Sequence, residues 1–572
     1  MKSFYPTNEE IASLLKELAT YLEFEGENPF KIRAYKNAAR VISGYGDSIA
    51  DLVIQGKDIT SIPGIGKNIE KKIKEIINTG SLQLIQRYRE KYPQGIFELL
   101  NIPGIGIKKI RILYEKFNVT SPEDFLILIN NGNLRDIPGF GEKSERKFKK
   151  ALESYIKREK VFKFCDVEPL VIQFESYLKE SYGSNFMVVG SYRRKKEVVS
   201  NIDVLIKDSY EKDQIIKRYA DLKDIKFLSE KDSYILKFSS GLRFNLINTC
   251  NKSWGIDLIK YTGSVEFNNK FCDFVKKDLG ISNIWGNEIF YNKCEEEIFD
   301  ELDIDYIPPE IREGKEELEL AKLRAIPHLI EQSDLKGDLH IHTTYTDGSN
   351  TIEEMVLAAM VLGFEYIGIT DHSKRLKIAN GLDEKRLMRQ LDEIDEINER
   401  YKGKIRVFKG IEVDILDNGS LDLSDSILKE LDYVIASVHS KFNLSEKDQT
   451  KRIKRAMDNP HVTIIGHPTG RLIGKRPPYK VDMEQIIKHA YTTGCVLELN
   501  SQPDRLDLND QYLKMAKEIG VKVAINSDAH SKGGFNVLKY GIYQARRGWL
   551  EKEDVINTYP LTEIADFFKK GK

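Results

Sequence analysis

The segment GDLHIHTTYTDG, residues 337–348, sets two histidines two residues apart in an apolar run and follows them with an aspartate. Residues two apart on a strand point to the same side, so His340 and His342 are expected to share one face. Six more short apolar runs follow in order, with helix-patterned sequence between them: YIGITDH at 366–372, VFKGIEVD at 407–414, YVIASVH at 433–439, VTIIGHP at 462–468, CVLELN at 495–500 and VAINSDAH at 523–530. Alternating strand and helix predicts a parallel sheet, and a closed barrel of that kind gathers reactive side chains at the C-terminal ends of its strands. Six of the seven runs carry His, Asp or Glu at that end; the other finishes in Asn500.

The candidate metal ligands are therefore His340, His342, Asp347, His372, Glu412, His439, His467, Asp528 and His530, with His340, Glu412 and Asp528 expected to be catalytic. Asp528 and His530 are again two apart and are expected to share a face. Imidazole and carboxylate without thiolate suit zinc, manganese or iron, and nine ligands exceed the needs of one ion. Two or three divalent ions are expected. Of nine histidines only His328 precedes residue 340, and His328, His461 and His489 read as ordinary linker, strand-start and helix-surface residues.

At 572 residues the chain is too long for one hydrophobic core, and three or four domains are expected. A hydrophobic content of 41% beside 31% charged residues describes a soluble globular protein. No apolar run approaches the roughly 20 residues of a membrane helix, and the N-terminus lacks the pattern of a signal peptide, so a cytoplasmic protein without a membrane partner is expected. Five cysteines without a CxxC pair predict neither a disulfide framework nor a thiolate zinc site.

The net charge of −1 conceals an asymmetry: residues 59–160 hold 20 Lys and Arg against 12 Asp and Glu. The same stretch carries one motif three times, SIPGIGKNIEKKI at 61–73, NIPGIGIKKIRIL at 101–113 and DIPGFGEKSERKF at 136–148. The pairs Gly64 and Gly66, Gly104 and Gly106, and Gly139 and Gly141 permit a tight turn that presents backbone N–H groups at the positive end of the next helix. Lys67, Lys108 and Lys143 add attraction for phosphate without reading a base. These motifs resemble helix-hairpin-helix units, which hold DNA backbones without sequence preference.

Upstream, residues 1–58 are expected to form a small helical domain and 59–155 the hairpin region. Short strands such as FMVVG, IDVLI, YILKF and FNLIN mark an α/β segment over 156–250; a mixed segment spans 251–312, and Pro308 and Pro309 followed by charges predict a linker over 313–334 before a domain at 335–572.

The motifs GDLHIHTTYTDG, GITDH, GIEVDI, SVHS, GHPTGR and NSDAH resemble the polymerase and histidinol phosphatase (PHP) family, with all nine family ligand positions filled. The resemblance implies a distorted (β/α)7 barrel in which His340, His342, Glu412 and Asp528 hold one ion, Glu412, His439 and His467 a second, and Asp347, His372 and His530 a third. It also implies metal-assisted hydrolysis of phosphate esters with no separate protein base, and offers Arg471 and Lys441 as grips for phosphate. Together with GSYRRKKEVVSNIDVLI at 190–206 and WGIDLIKYTGSVEFNN at 254–269, the whole chain resembles bacterial and archaeal family X DNA polymerases with a C-terminal PHP domain. The fold class implied is multidomain α and α/β: a helical hairpin region, a nucleotidyltransferase-like palm and thumb, and the barrel.

By that resemblance Gly190, Ser191 and Arg194 match a triphosphate grip, and Tyr261, Gly263 and Asn268 a nucleotide pocket. The family's three magnesium-holding carboxylates fall on Asn201, Asp203 and Asn245, and neutral amides at two of them make Mg2+ binding doubtful. Lys260 and Phe267 also depart from the family pattern. Lys72, with Tyr35 and Lys31, matches a deoxyribose-phosphate lyase site. The expected function is DNA repair by a monomer that binds gapped, nicked or 3′-recessed DNA. Its PHP domain would act as a 3′-5′ exonuclease, extending to abasic-site cleavage or 3′-phosphodiesterase action, with Mn2+ the implied ion ahead of Zn2+ or Fe2+. Polymerisation from dNTP is expected to be lost or weak. An active gap-filling polymerase with a PHP nuclease, and a small-molecule phosphatase of the histidinol-phosphatase type, are the alternatives.

Overall fold

The computed structural model describes residues 6, 8–43, 45, 48–93, 95–132, 134, 140–157, 160–207, 225–230, 233–238 and 240–570, and divides into two compact units, 1–159 and 160–572. The first unit is helical. Its helix Lys67–Thr79 buries Ile69, Ile73, Ile76 and Ile77, the spacing that makes one apolar stripe, and Ile107–Phe117 does the same with Ile110 and Leu113. A single apolar cluster runs from Ile11 to Leu152. Residues 1–58 and 59–155, read as separate domains from the sequence, thus share one core. The physical reason is size, since a piece of roughly 60 residues buries too small a share of its surface to be well stabilised alone.

In the second unit, the strand Ile202–Lys207 lies second in a five-stranded sheet, antiparallel to the edge strand Phe186–Val189 and parallel to the central strand Arg243–Thr249; Ser233–Phe238 and Ile225–Glu230 follow outward. Ile202, Val204 and Ile206 enter the core beneath the sheet, while Leu205 packs on the other face with Val189 and Leu258. Period-two alternation therefore puts Asp203 on the Leu205 face. Helices Trp254–Thr262, Val265–Leu279 and Glu295–Glu301 surround a second core. Residues 313–334 are no free linker: Leu318, Ala321 and Leu329 belong to this same core, and Glu317 is fully buried, accepting the backbone N–H of Gly314 and Lys315.

The C-terminal strands form two parallel sheets. One holds Gly337–Ile341, Tyr366–Ile369 and Arg406–Lys409; the other holds Glu412–Asp414, Ile435–Ser437, Ile464–Ile465, Val496–Asn500 and Val523–Asn526. Bridges from Ile341 to Ala529 and from His372 to Glu412 close them into a ring. The third run of the sequence, VFKGIEVD, is shared between the sheets because it breaks at Gly410, where a Cβ would lie 2.7 Å from Thr370 Cγ2 and 2.8 Å from Tyr433 Cζ. The barrel is distorted at that point, and Glu412 emerges from the break.

Candidate metal centre

Glu412, 1% exposed, is the hub of the barrel mouth. Its Oε2 lies 2.7 Å from His372 Nδ1, 3.5 Å from His340 Nε2 and 3.7 Å from His342 Nε2, and its Oε1 lies 3.0 Å from His467 Nε2 and 3.2 Å from His439 Nε2. Five imidazoles meet one carboxylate. On one flank Asp528 Oδ1 is 3.1 Å from His342 Nε2 and 3.7 Å from His340 Nε2; on the other, Asp347 is 3.6 Å from His372 Nε2 and 3.5 Å from His530 Nε2. All nine sequence candidates are brought together.

Their local geometry departs from expectation at one pair. The last barrel strand ends at Asn526, so Asp528 and His530 do not share a strand face; Asp528 sits beyond it with φ +53°, and His467 has φ +27°. Left-handed backbone at bulky residues is costly and persists where the surroundings impose it, here at two residues aimed into the mouth.

Burial alone would raise the pKa of Glu412, but His439, His372 and His340 hold its carboxyl well below the usual range. Asp528 behaves likewise beside His340 and His342. Burial, His530 and His372 push His342 down to about 3, leaving it neutral; burial also lowers His372 and His439, but Glu412 joined by Asp347 raises His372 to about 10, and Glu412 joined by Asp414 raises His439 to about 9. Buried atoms without a hydrogen bond include His340 Nε2, both ring nitrogens of His342 and Glu412 Oε2. Such groups are costly to bury unsatisfied. Among the described residues three sets have ligand atoms mutually within 4.8 Å: His342, Asp347, His372 and His530; His340, His342 and Glu412; and His372, Glu412 and His439. Nitrogen and carboxylate donors so arranged fit divalent cations.

A supporting layer escaped the sequence reading. Glu498, fully buried, accepts from His340 Nδ1 at 2.6 Å, from the His467 backbone N–H at 2.7 Å and from Asn526 Nδ2 at 2.9 Å. It fixes the ring of one ligand and the backbone of another, the usual office of a carboxylate behind a metal-binding histidine. Its signal was a lone charge at even spacing from Asn500 in CVLELN, and Asn500 Nδ2 itself donates to Asp528 Oδ2 at 3.0 Å. Asp371 is held by the Thr343 backbone at 2.8 Å and by Gln390 at 2.6 Å, and Asp414 lies 3.4 Å from His439 Nδ1. Arg471 does not face the centre. Its guanidinium forks onto Glu197 of the five-stranded domain, at 3.1 and 2.6 Å, and reaches the Leu506 carbonyl. Lys441 stays exposed, 3.9 Å from Asp417.

The five-stranded domain tells a different story. Asn201 and Asn245 each turn an amide onto Asp203 Oδ1, at 2.6 and 2.7 Å, and burial raises the Asp203 carboxyl above its ordinary value. Gly190, at φ +67°, lets Asp203 approach so closely that a Cβ there would lie 2.6 Å from Oδ2. Arg194 is buried and already engaged by Glu313 at 3.0 Å and by the Thr262 carbonyl at 2.7 Å, while neighbouring Arg193 pairs with Glu295. Ser191 lies in the short helix Gly190–Arg193. Tyr261 closes the helix Trp254–Thr262 that Gly263 caps, and Asn268 Nδ2 donates to the Lys260 carbonyl at 2.7 Å.

In the helical unit, Gly64 and Gly104 take φ +98° and +88°, and Gly66 and Gly106 stand as N-caps that give no side-chain hydrogen bond to the helices beyond. Elsewhere in the unit Ser48 and Ser121 do cap their helices. The hairpin helices thus keep uncapped N-terminal N–H groups beside exposed Lys67 and Lys108, which suits an anion. Gly141 is described in the third motif; Gly139 and the Lys143 side chain lie outside the described residues. Lys72 meets Glu75 at 2.7 Å, so a carboxylate attends the lysine of the expected lyase site. Lys31 pairs with Glu27 at 3.3 Å, and Tyr35 is buried.

A parallel barrel whose mouth gathers imidazoles and carboxylates about one bridging glutamate defines a metal-dependent phosphoesterase of the PHP type. Residues 338–502 match the PHP domain family, residues 6–82 a helix-hairpin-helix domain and residues 96–154 a SAM-like helix-hairpin-helix tandem. The chain is 36% identical to the DNA polymerase/3′-5′ exonuclease PolX of Bacillus subtilis (strain 168) over 575 residues, which cover 98% of this chain and 99% of that protein. It belongs to the PolX family. A probable phosphatase of Thermoanaerobacter sp. (strain X514) is 32% identical over 246 residues, and one of Caldanaerobacter subterraneus is 34% identical over 204; these cover 41% and 34% of this chain, and 95% and 75% of the phosphatases. Among the described residues, no helix is long and apolar enough to cross a membrane.

Proposed function

We propose that the chain is a DNA-repair nuclease whose PHP centre hydrolyses phosphodiesters from 3′ ends, while the hairpin helices hold gapped, nicked or 3′-recessed DNA by its backbone. The observation that carries the reading is the contrast between Glu412, surrounded by five imidazoles, and Asp203, already satisfied by two amides. In support, the relative that spans 98% of the chain is a DNA polymerase/3′-5′ exonuclease, whereas the phosphatases match only 41% and 34% of it.

In this reading His340, His342, Glu412 and Asp528 would hold one ion, Glu412, His439 and His467 a second, and Asp347, His372 and His530 a third, with Mn2+ the favoured metal. Bound metal supplies an activated water and neutralises charge on the phosphoryl oxygens. Glu412 stays ionised and spans the sets. Glu498 keeps the His340 proton at Nδ1, so that Nε2 presents its lone pair to the mouth. Asn500 steadies Asp528 across its second oxygen. No protein base is needed.

Polymerisation is expected to be lost or severely weakened. One carboxylate remains where the family uses three, its oxygen is occupied by amide donors, and Arg194 is held by Glu313, which also pairs with Arg547. The test is a gapped duplex incubated with Mn2+, with and without nucleotides. Hydrolysis from the 3′ end without extension is the expected outcome; robust extension that disappears on changing Asp203 would overturn the polymerase part, and hydrolysis surviving His340→Ala would place the nuclease elsewhere.

A further inference from the structure

Beside the metal centre lies a cavity of about 520 Å3 between the loop that follows His439 and the loop that follows His467. That volume falls in the range of small-ligand sites, roughly 300–1,000 Å3. Its walls are aromatic and cationic. The Arg476 guanidinium sits 4.3 Å from the centroid of the Phe442 ring, and Phe442 and Tyr479 run nearly parallel, 15° apart with centroids at 6.1 Å. Guanidinium and aromatic planes of this kind are what nucleobases stack upon, whatever their sequence.

The cavity is built. Gly470, at φ +59°, lies where a Cβ would come 2.6 Å from Tyr479 Cε1 and 3.7 Å from Phe442 Cε1, so any side chain there would displace the wall. Arg476 Nε donates to the Gly470 carbonyl at 3.0 Å, and the Tyr479 hydroxyl donates to the Pro468 carbonyl, next in the chain to His467. The wall is thereby tied to the backbone of a candidate ligand. Phe442 is three residues beyond His439, which at about 3.6 Å per residue keeps their Cα atoms within roughly 11 Å. Lys441 and Lys480 stand exposed on the same two loops, placed for the sugar-phosphate backbone of an incoming strand.

We infer that this cleft seats the nucleobase of the 3′-terminal nucleotide while its phosphodiester lies at the metal centre. The inference rests on the nuclease reading and adds a substrate determinant: an unpaired, stackable base at the end to be removed. Phe442 and Arg476 form the platform, so preference for any particular base is weak, and a terminus without a base binds less well.

The test uses the full chain and two 3′-recessed duplexes with a mismatched end that differ only in the last residue, a thymidine opposite thymine or a tetrahydrofuran abasic analogue at the same place, with Mn2+. Phe442→Ala is expected to raise KM about tenfold on the thymidine end, the loss of one base–aromatic stack, while leaving kcat and the abasic end unchanged; Phe442→Trp is expected to restore the wild-type KM. Equal effects on both ends, or on neither, overturn the inference and assign the cleft to another occupant. Fluorescence of a 3′-terminal 2-aminopurine, measured on binding in a metal chelator, reads the platform apart from turnover. Quenching that Phe442→Ala abolishes supports the cleft even if hydrolysis is absent, an outcome that would sink the nuclease reading alone; quenching unchanged by Phe442→Ala overturns the inference whatever the turnover.

Discussion

Two parts of this molecule present a carboxylate to a mouth where a cation could sit, and the protein partners them in opposite ways. At Glu412 the neighbours are imidazoles that can give up a proton to become ligands, with ring nitrogens and one oxygen left without hydrogen bonds. At Asp203 the neighbours are amide N–H groups that satisfy the oxygen from within the protein. The lesson concerns electrostatic balance: imidazole partners can exchange their protons for a cation, whereas amide donors cannot, so a carboxylate held by amides competes for a cation at a disadvantage.

The largest effect should come from removing the hub. Glu412→Gln keeps the shape but removes the charge shared by five imidazoles, and hydrolysis should fall at least about 1,000-fold, given that metal stabilisation is worth several kcal/mol. DNA binding in a chelator, followed by fluorescence anisotropy, should not change. Next, Glu498→Gln should lower metal affinity or activity about 10-fold to 100-fold, because it frees the ring of His340 and the backbone of His467 without removing a ligand; titration of Mn2+ against the purified variant reads this directly. The comparison can also be broken from the other side. Asn201→Asp with Asn245→Asp restores three carboxylates, and primer extension with Mg2+ should rise by at least about tenfold over wild type if charge alone closed the site. Should extension remain absent, the blockade lies in the Arg194 pairing with Glu313.

Smaller effects are expected at the periphery. Glu197→Ala releases Arg471, four residues from His467, and should weaken Mn2+ binding several-fold while Glu197→Asp retains most of it. Lys67→Ala with Lys108→Ala should weaken DNA binding uniformly across sequences and reduce the salt slope by about 0.9 for each phosphate no longer neutralised, measured as log Kd against log salt concentration.

Much of the barrel was legible because its strands are buried on both faces and end in chemistry-bearing residues, so DLHIH and VAINSDAH announce both element and site. The hairpins were legible through repetition. Less legible were features that depend on what packs alongside. Glu498 looked like an ordinary charge in a strand until His340 was set against it; Arg471 looked like a phosphate grip because its partner, Glu197, lies 274 residues away. The backbone beyond Asn526 turns left-handed at Asp528, which no period-two reading anticipates. Residues 313–334 carried the composition of a linker, yet their few apolar side chains complete a neighbouring core. Sequence spacing reports local periodicity; long-range pairing decides how a charged residue is used.

The most direct test of the asymmetry is to follow hydrolysis and extension of one gapped duplex, with Mn2+ and nucleotides present, for wild type, Glu412→Gln and Asp203→Asn. Hydrolysis should disappear only in Glu412→Gln, and neither wild type nor Asp203→Asn should extend the primer. Efficient extension by wild type and Glu412→Gln, lost in Asp203→Asn, would contradict the account.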